Sequence, residues 1–222
     1  MLMKLFRKLR GLVDNNDPFD PSRFEDPVSE QTSWMPAKGG GANFRTRRLV
    51  TVTPNRIEFR ASIGAKMFFG FFLLGGIGIA VGVSISHFST GTFSFNSDTV
   101  WPLLAGIVFV TVGGCLLYFG TAPIVFDKGR GWFWKGRKAQ DGMFDSNSSK
   151  YFTGLEDIHA LQLISEYCRG SKRSYYSYEL NLVLRDGRRI NVIDHGDCKK
   201  LREDAETLSQ FLERPVWDAI GR

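Results

Sequence analysis

Charge is what the middle of this 222-residue chain lacks. From residue 67 to residue 119 there is a single charged residue, Asp98, and no Lys, Arg or Glu. Two runs inside that stretch, 67–88 and 100–119, carry no charge at all. Each is about 20 residues long, enough to cross a hydrocarbon core of roughly 30 Å as a helix. Buried helices of a soluble core are the alternative, but such helices seldom stay uncharged on every side over this length. Cysteine and histidine are scarce as well, three of each. His87, His159 and His195 share no metal-ligand spacing. Cys115, Cys168 and Cys198 form no redox pair, and a reducing compartment is expected. His195 with Asp194, Asp197 and Cys198 is a local set of ligand-type side chains, which a capped helix start explains equally well. No Gly-Lys-Ser or Gly-Lys-Thr follows Gly39, Gly40 and Gly41, so these are no phosphate loop. No cluster of carboxylates or activated nucleophile stands out, and no charge lies within a span, where transport pathways usually place one. The sequence therefore assigns no catalytic residue, no metal site and no cofactor, and the chain is expected to be a non-enzymatic protein.

What the chain does have is asymmetric basic charge. Arg45, Arg47, Arg48, Arg56, Arg60 and Lys66 precede the first run, and Lys128, Arg130, Lys135, Arg137 and Lys138 follow the second. The segment between the runs has no Lys or Arg. Basic residues resist translocation, so a two-span hairpin (66–120) with both termini cytoplasmic is expected. The formal net charge of +6 suits soluble parts that face an anionic leaflet. Localisation in the inner (cytoplasmic) membrane of a bacterium follows from this reading.

The first ten residues interleave Lys4, Arg7, Lys8 and Arg10 with Leu2, Leu5, Phe6 and Leu9, which is no continuous signal-peptide core. With Val13, the apolar residues recur at helical spacing, so 1–13 reads either as an amphipathic helix on the membrane surface or as a basic terminus without structure. Residues 14–43, with Pro18, Pro21, Pro27, Pro36 and three consecutive glycines, read as a disordered linker in which Phe19, Phe24 and Trp34 are exceptions. Residues 44–62 read as a β-hairpin, with Val50, Val52, Ile57 and Phe59 alternating with polar residues across Thr53, Pro54 and Asn55. A lone hairpin is barely stable in water, so it should join the sheet that follows the second span.

That sheet is expected within 123–222. Residues 123–126 and 132–135 form a strand–turn–strand, 155–164 a further strand, and 176–184 and 189–194 a hairpin closed by Asp186 and Gly187. Leu201, Ala205, Leu208, Phe211 and Leu212 then give a C-terminal helix an apolar stripe, with Asp197 as its cap. The expected fold class is α+β: a transmembrane helical hairpin plus a small antiparallel β domain closed by one helix.

Three segments carry a resemblance: Ile124-Val125-Phe126-Asp127-Lys128-Gly129-Arg130-Gly131, Leu155-Glu156-Asp157-Ile158-His159-Ala160-Leu161-Gln162, and the last hairpin with its helix. In this order of parts the chain resembles bacterial membrane proteins in which a two-helix hairpin precedes a pleckstrin-homology-like (PH-like) domain. The resemblance covers about half the chain and implies a cytoplasmic PH-like fold and little chemistry. The hairpin at 44–62 departs from the simple pattern.

Two surfaces are candidate binding sites. Lys128, Arg130, Lys135, Arg137 and Lys138 are candidate contacts for anionic membrane lipids. The strand tip with Lys172, Arg173, Tyr175 and Tyr176 is the candidate contact for a protein partner of unknown identity. Gly78, Gly82 and Ser86, four apart on one face of the first span, serve either packing within the hairpin or a homo-oligomer. No nucleic-acid partner is expected, because the membrane accounts for the basic residues. The reading is a membrane protein that presents a β domain to a protein or lipid surface, with an accessory subunit of a membrane enzyme or transporter complex as the alternative. A cysteine placed at Ser94 should react with an impermeant thiol reagent added outside the cell, and one placed at Ser148 should not. The reverse pattern would overturn the orientation.

Overall fold

The computed structural model describes residues 19–37, 39–41, 43–90, 96–138, 151–169 and 173–220. The expected surface helix at 1–13 and the side chains of Ser94, Ser148 and Lys172 lie outside them. The chain divides into two compact units, Phe44–Leu155 and Met1–Asn43 with Glu156–Arg222. The range 123–222, expected as one domain, spans both units. The division falls inside that range, and each part recruits chain from before the first span.

In the unit Phe44–Leu155, five antiparallel strands run in the order β1 (Arg47–Thr53), β2 (Arg56–Ala61), β3 (Ile124–Asp127), β4 (Trp132–Lys135) and β5 (Phe152–Gly154). Between β2 and β3 the chain leaves the sheet to form helix α2 (Ile63–Thr90) and helix α3 (Ser97–Gly120), both long and apolar enough to cross a membrane. α1 is the short helix Pro27–Gln31 of the other unit. The hairpin before the first span thus belongs to the sheet that follows the second, with Ile57 opposite Phe126 and Phe59 opposite Ile124. Pairing brings Ile57, Phe126 and Phe133 into one row, with ring contacts of 6.4 Å between Phe59 and Phe126 and 4.9 Å between Phe126 and Phe133. Phe59, Phe126 and Phe133 are fully buried. Val52 departs from its expected place. β1 is the outermost strand and its register shifts between Thr51 and Thr53, so Val52 is exposed.

The two long helices pack through glycine, because only a missing Cβ lets the backbones meet. A Cβ at Gly76 would lie 2.6 Å from the Val110 nitrogen, and one at Gly113 would lie 2.4 Å from the Leu73 nitrogen. Phe72 stacks on Phe109 at 5.7 Å, and His87 Nε2 and Thr99 Oγ1 meet at 2.8 Å near the hairpin's far end. Most of each helix surface is exposed apolar side chain, with Phe71, Leu74, Ile85 and Ile107 all above 60%. Helices of a soluble core would have that surface covered.

In the other unit, a second sheet has the order β8 (Arg189–His195), β7 (Tyr175–Leu184), β6 (Ile158–Cys168) and β9 (Val216–Asp218), with β9 parallel to β6. Helix α4 (Cys198–Leu212) starts at Asp197, whose carboxylate accepts the Lys200 N–H at 3.0 Å, and buries Leu201, Ala205, Leu208 and Leu212. Register places Leu161, Leu182 and Ile190 in one row and Gln162, Asn181 and Asn191 in the next, so one face of this sheet is apolar and the other sets a polar row beside the apolar pair Ala160 and Val183.

Residues 19–37 are not a disordered linker. They form a strap with a 3-10 turn (Pro21–Phe24) and α1, each begun by an Asp cap followed by proline, Asp20-Pro21 and Asp26-Pro27. Phe24, Val28 and Trp34 pack on Ala160, Val183 and Trp217.

Phe59→Asp should unfold the Phe44–Leu155 unit, since loss of a buried Phe alone costs about 3–5 kcal/mol and a buried charge adds to it. Val52→Asp should change stability by no more than about 0.5 kcal/mol, as surface substitutions do. Thermal unfolding of the detergent-solubilised chain distinguishes the two; equal losses would contradict the register of β1.

Candidate functional site

The basic residues do not form one patch. Lys128 and Arg130 sit in the turn between β3 and β4, whereas Lys135, Arg137 and Lys138 sit at the other end of β4, beside the helix bases. Four strand residues at about 3.3 Å each separate the groups by roughly 13 Å, more than the Debye length of about 8 Å at physiological salt. Arg130 instead lies over the Trp134 ring at 5.9 Å, and Arg56 also lies over that ring at 5.3 Å. Arg56 and Arg60 both bond Glu58, a buried carboxylate, at 2.8 and 2.7 Å.

The helix-base end has a different composition. Arg47 donates to the carbonyls of Ala122 (2.6 Å) and Gly120 (3.3 Å), and Arg137 to the Tyr118 carbonyl (3.2 Å) and Thr121 Oγ1 (2.8 Å). The last carbonyls of a helix lack intrahelical partners and carry its negative dipole end, so two guanidiniums there satisfy both needs. Burial lowers the Arg47 pKa from its usual value. At the start of α2, Ser62 Oγ accepts the Ala65 N–H at 3.1 Å and donates to the Arg45 carbonyl at 2.7 Å. Arg48 pairs in register with Arg60 at the same end, and Lys66 is exposed on the first turn of α2. The sequence marks Arg47 only as one of many flanking charges; its cap on a helix end 73 to 75 residues away has no local signal.

The expected partner contacts at the β6–β7 tip divide. Arg173 is exposed, and Tyr176 is exposed against Tyr167 at 5.2 Å between rings. Tyr175 turns inward and donates to the Gly41 carbonyl at 2.9 Å. Gly78 and Gly82 have no atom within 4 Å of an added Cβ, so they do not pack the hairpin; Gly76, Gly106 and Gly113 do.

The polar face of the second sheet lies under the strap. Gln162, Glu179 and Asn181 are fully exposed to nothing but protein, each at 0% accessibility. Glu179 accepts the Ala37 N–H at 2.8 Å and an Asn181 side-chain N–H at 3.1 Å. Gln162 donates to the Ser33 carbonyl at 3.0 Å, and Arg189 donates to both the Met35 carbonyl (2.8 Å) and Gln162 Oε1 (3.1 Å). Burial lowers the Arg189 pKa, and the neighbouring Glu179 charge opposes that shift. Glu166 accepts the N–H groups of Gly40 and Gly41 at 3.1 and 3.3 Å.

At the strap's other end a cleft of about 280 Å³ is lined by Asp26, Ile158, His159, Arg185, Glu213, Arg214 and Pro215. His159 Nε2 meets Asp26 Oδ2 at 2.7 Å. Arg185 and Arg214 donate to the carbonyls of Glu156 (2.9 Å) and Ile158 (2.6 Å). Two carboxylates offset the two guanidiniums, so the cleft has no strong preference for a charged ligand. His195 Nδ1 accepts the Asp197 N–H at 3.0 Å at the start of α4. Among the described residues no three His, Cys, Asp or Glu side chains gather to hold a metal ion.

No family model, curated protein or solved structure matches the chain.

Burial works to raise the Asp26 carboxyl, but hydrogen bonds from His159 and the Val28 N–H outweigh it and hold its pKa below the ordinary value. The folded value lies below the unfolded value near about 3.9. Its contribution is therefore complete above that pH and is lost as pH falls through the folded value. Asp26→Asn should lose about 0.5–1 kcal/mol at neutral pH, with the gap to the natural chain closing below about pH 4. Urea unfolding across this range checks it, and a pH-independent gap would count against the hydrogen bonds to the Asp26 carboxylate.

Proposed function

We propose that the chain is a two-span protein of a bacterial inner membrane, with both termini cytoplasmic, whose first sheet rests at the leaflet surface. In this reading it is a non-enzymatic protein whose cytoplasmic PH-like part is held out to a protein partner while basic residues at the helix bases contact anionic lipid. The observation that carries it is the attachment of the sheet to the helix bases by Arg47, Arg137 and Ser62. A sheet fixed there by hydrogen bonds cannot swing away from the ends of the apolar helices. Lys66, Lys135 and Lys138 share that level, and each basic residue near an anionic surface is worth about 1 kcal/mol. Lys128 and Arg130, a strand length away, contribute little. An accessory role beside another membrane subunit is favoured by one feature, the open face of α2 around Gly78 and Gly82, where a further helix could approach closely.

The test uses the full chain in nanodiscs of phosphatidylcholine with or without phosphatidylglycerol. Anionic lipid should raise the unfolding midpoint, and salt should erase the increase by screening. Replacing Lys66, Lys135 and Lys138 by Ala should remove most of the increase, whereas replacing Lys128 and Arg130 should leave it. Equal midpoints in the two lipids would overturn the lipid contact.

A further inference from the structure

The arginines beside the base of α2 are engaged to different degrees. Arg45 donates to the Arg47 carbonyl at 3.1 Å, and Arg47 is committed to the last carbonyls of α3. Arg60 gives its Nε to Glu58, and its terminal nitrogens make no contact with a described residue. Arg48 is exposed and has no hydrogen bond or ion pair among the described residues. Yet β1 and β2 set Arg48 directly opposite Arg60, and the ladder continues beyond them, with the Ser62 N–H donating to the Thr46 carbonyl at 2.9 Å. Residues opposite one another in such a ladder hold their Cβ atoms roughly 4.5–5.5 Å apart, and like charges there repel.

Charge on this face of the sheet shows what would relieve the repulsion. By register, Arg48, Arg56 and Arg60 share the face with the carboxylates Glu58 and Asp127. Glu58 is buried and places one oxygen on Arg56 and the other on Arg60, while Asp127 lies 3.5 Å from Arg56. Both carboxylates are therefore committed away from Arg48, and the uncompensated positive charge of these strand residues sits at the Arg48 end. Glu58 also fixes the Arg60 guanidinium from behind, which orients its remaining N–H groups for an external anion. There is room for one. Pro123, one residue before Ile124, stands beside Arg60 by alternation, and the Gly136 N–H donates to its carbonyl at 2.8 Å. A Cβ at Gly136 would meet nothing within 4 Å. The positions next to the arginine pair thus carry no long side chain that would fill the space over them.

We propose that Arg48 and Arg60 clasp one phosphate group, the phosphodiester of an anionic lipid in the leaflet that α2 enters, with one free phosphate oxygen on each guanidinium. Guanidinium groups match phosphate oxygens in charge and in planar donor geometry. The site rests on the two-span reading and names the lipid group that the sheet takes. Arg60 stands three residues before Ile63, the first exposed apolar residue of α2, which is about 10 Å of extended chain. A headgroup layer roughly 5–8 Å deep on each side of the hydrocarbon fits within that interval, so a lipid phosphate is the anion held at this level.

The full chain in nonionic detergent is titrated with an equimolar mixture of phosphatidylglycerol and phosphatidylcholine, and bound lipid is counted by native mass spectrometry. The natural chain should hold one phosphatidylglycerol in preference to phosphatidylcholine. Arg48→Gln should weaken that adduct roughly tenfold, the loss of a hydrogen-bonded charge. Arg48→Lys, which keeps the charge and loses the fork, should weaken it several-fold. Neither change should move the thermal midpoint measured without lipid, because Arg48 is exposed and makes no contact to lose. Replacing Lys66, Lys135 and Lys138 by Ala should weaken the adduct far less than Arg48→Gln does. An adduct unchanged by either Arg48 variant, or weakened as much by the lysine variant, would overturn the site and leave a general leaflet contact standing. No preference for phosphatidylglycerol in the natural chain would also overturn the site; only equal midpoints in the two nanodiscs would take the leaflet contact with it. Millimolar inorganic phosphate should leave the lipid bound, and displacement of the lipid would reassign the pair to free phosphate and overturn the lipid assignment.

Discussion

The pairing of β2 with β3 is the constraint on which the Phe44–Leu155 unit depends. These strands lie on either side of both long helices in the sequence, yet Ile57 faces Phe126 and Phe59 faces Ile124. Strand pairing fixes its partners a little under 5 Å apart, so it also fixes where α2 leaves the sheet and where α3 returns to it. The glycine contacts at Gly76, Gly106 and Gly113 then follow with little freedom, because two helices rooted at adjacent strands run side by side from their bases. Arg47 completes the arrangement by joining β1 to the last carbonyls of α3. Sheet, helix bases and basic side chains form one mechanical piece for this reason.

The second unit is organised by the opposite problem, a sheet whose reverse face mixes an apolar patch at Ala160, Val183 and Trp217 with buried polar residues. Leu161, Leu180 and Leu182 are covered by α4 in the usual way. Gln162, Glu179 and Asn181 on the reverse side require hydrogen bonds wherever water is excluded. An irregular segment supplies them better than a helix or a strand could, because its backbone groups are not already committed to one another. The strap's prolines and glycines, which make it look unstructured, leave those groups available.

Local features were legible in the sequence. The two apolar runs, the Asp186-Gly187 turn, the α4 stripe with its Asp197 cap and the hairpin across Pro54 all follow from spacing and turn chemistry over a few residues. Long-range pairings were not. The strap reads as linker because average composition outweighs three aromatic residues, although two Asp-Pro pairs mark helix starts within it. Val52 reads as buried because alternation cannot tell an edge strand from a central one. The five basic residues after the second span read as one patch because sequence proximity hides the reversal at the β3–β4 turn. Gly78 and Gly82 share a helix face with correct spacing, but which glycines meet the neighbouring helix depends on where the two helices are rooted.

The insertion of α2 and α3 between paired strands also sets an order of events during synthesis. β1 and β2 leave the ribosome first, and β2 must wait for β3 with its edge unpaired until the whole hairpin between Ala61 and Ile124 has been made. At about 5–20 residues per second that interval is roughly 3–12 seconds, long on the scale of microseconds in which strands find partners. Throughout it Ile57 and Phe59 present a hydrophobic edge capable of pairing with any other nascent strand. On the proposed membrane reading, delivery of the first apolar run to the bilayer would protect more than the helices: it would hold β2 at the surface where its partner emerges, and a delay in insertion would be felt first as aggregation of that strand.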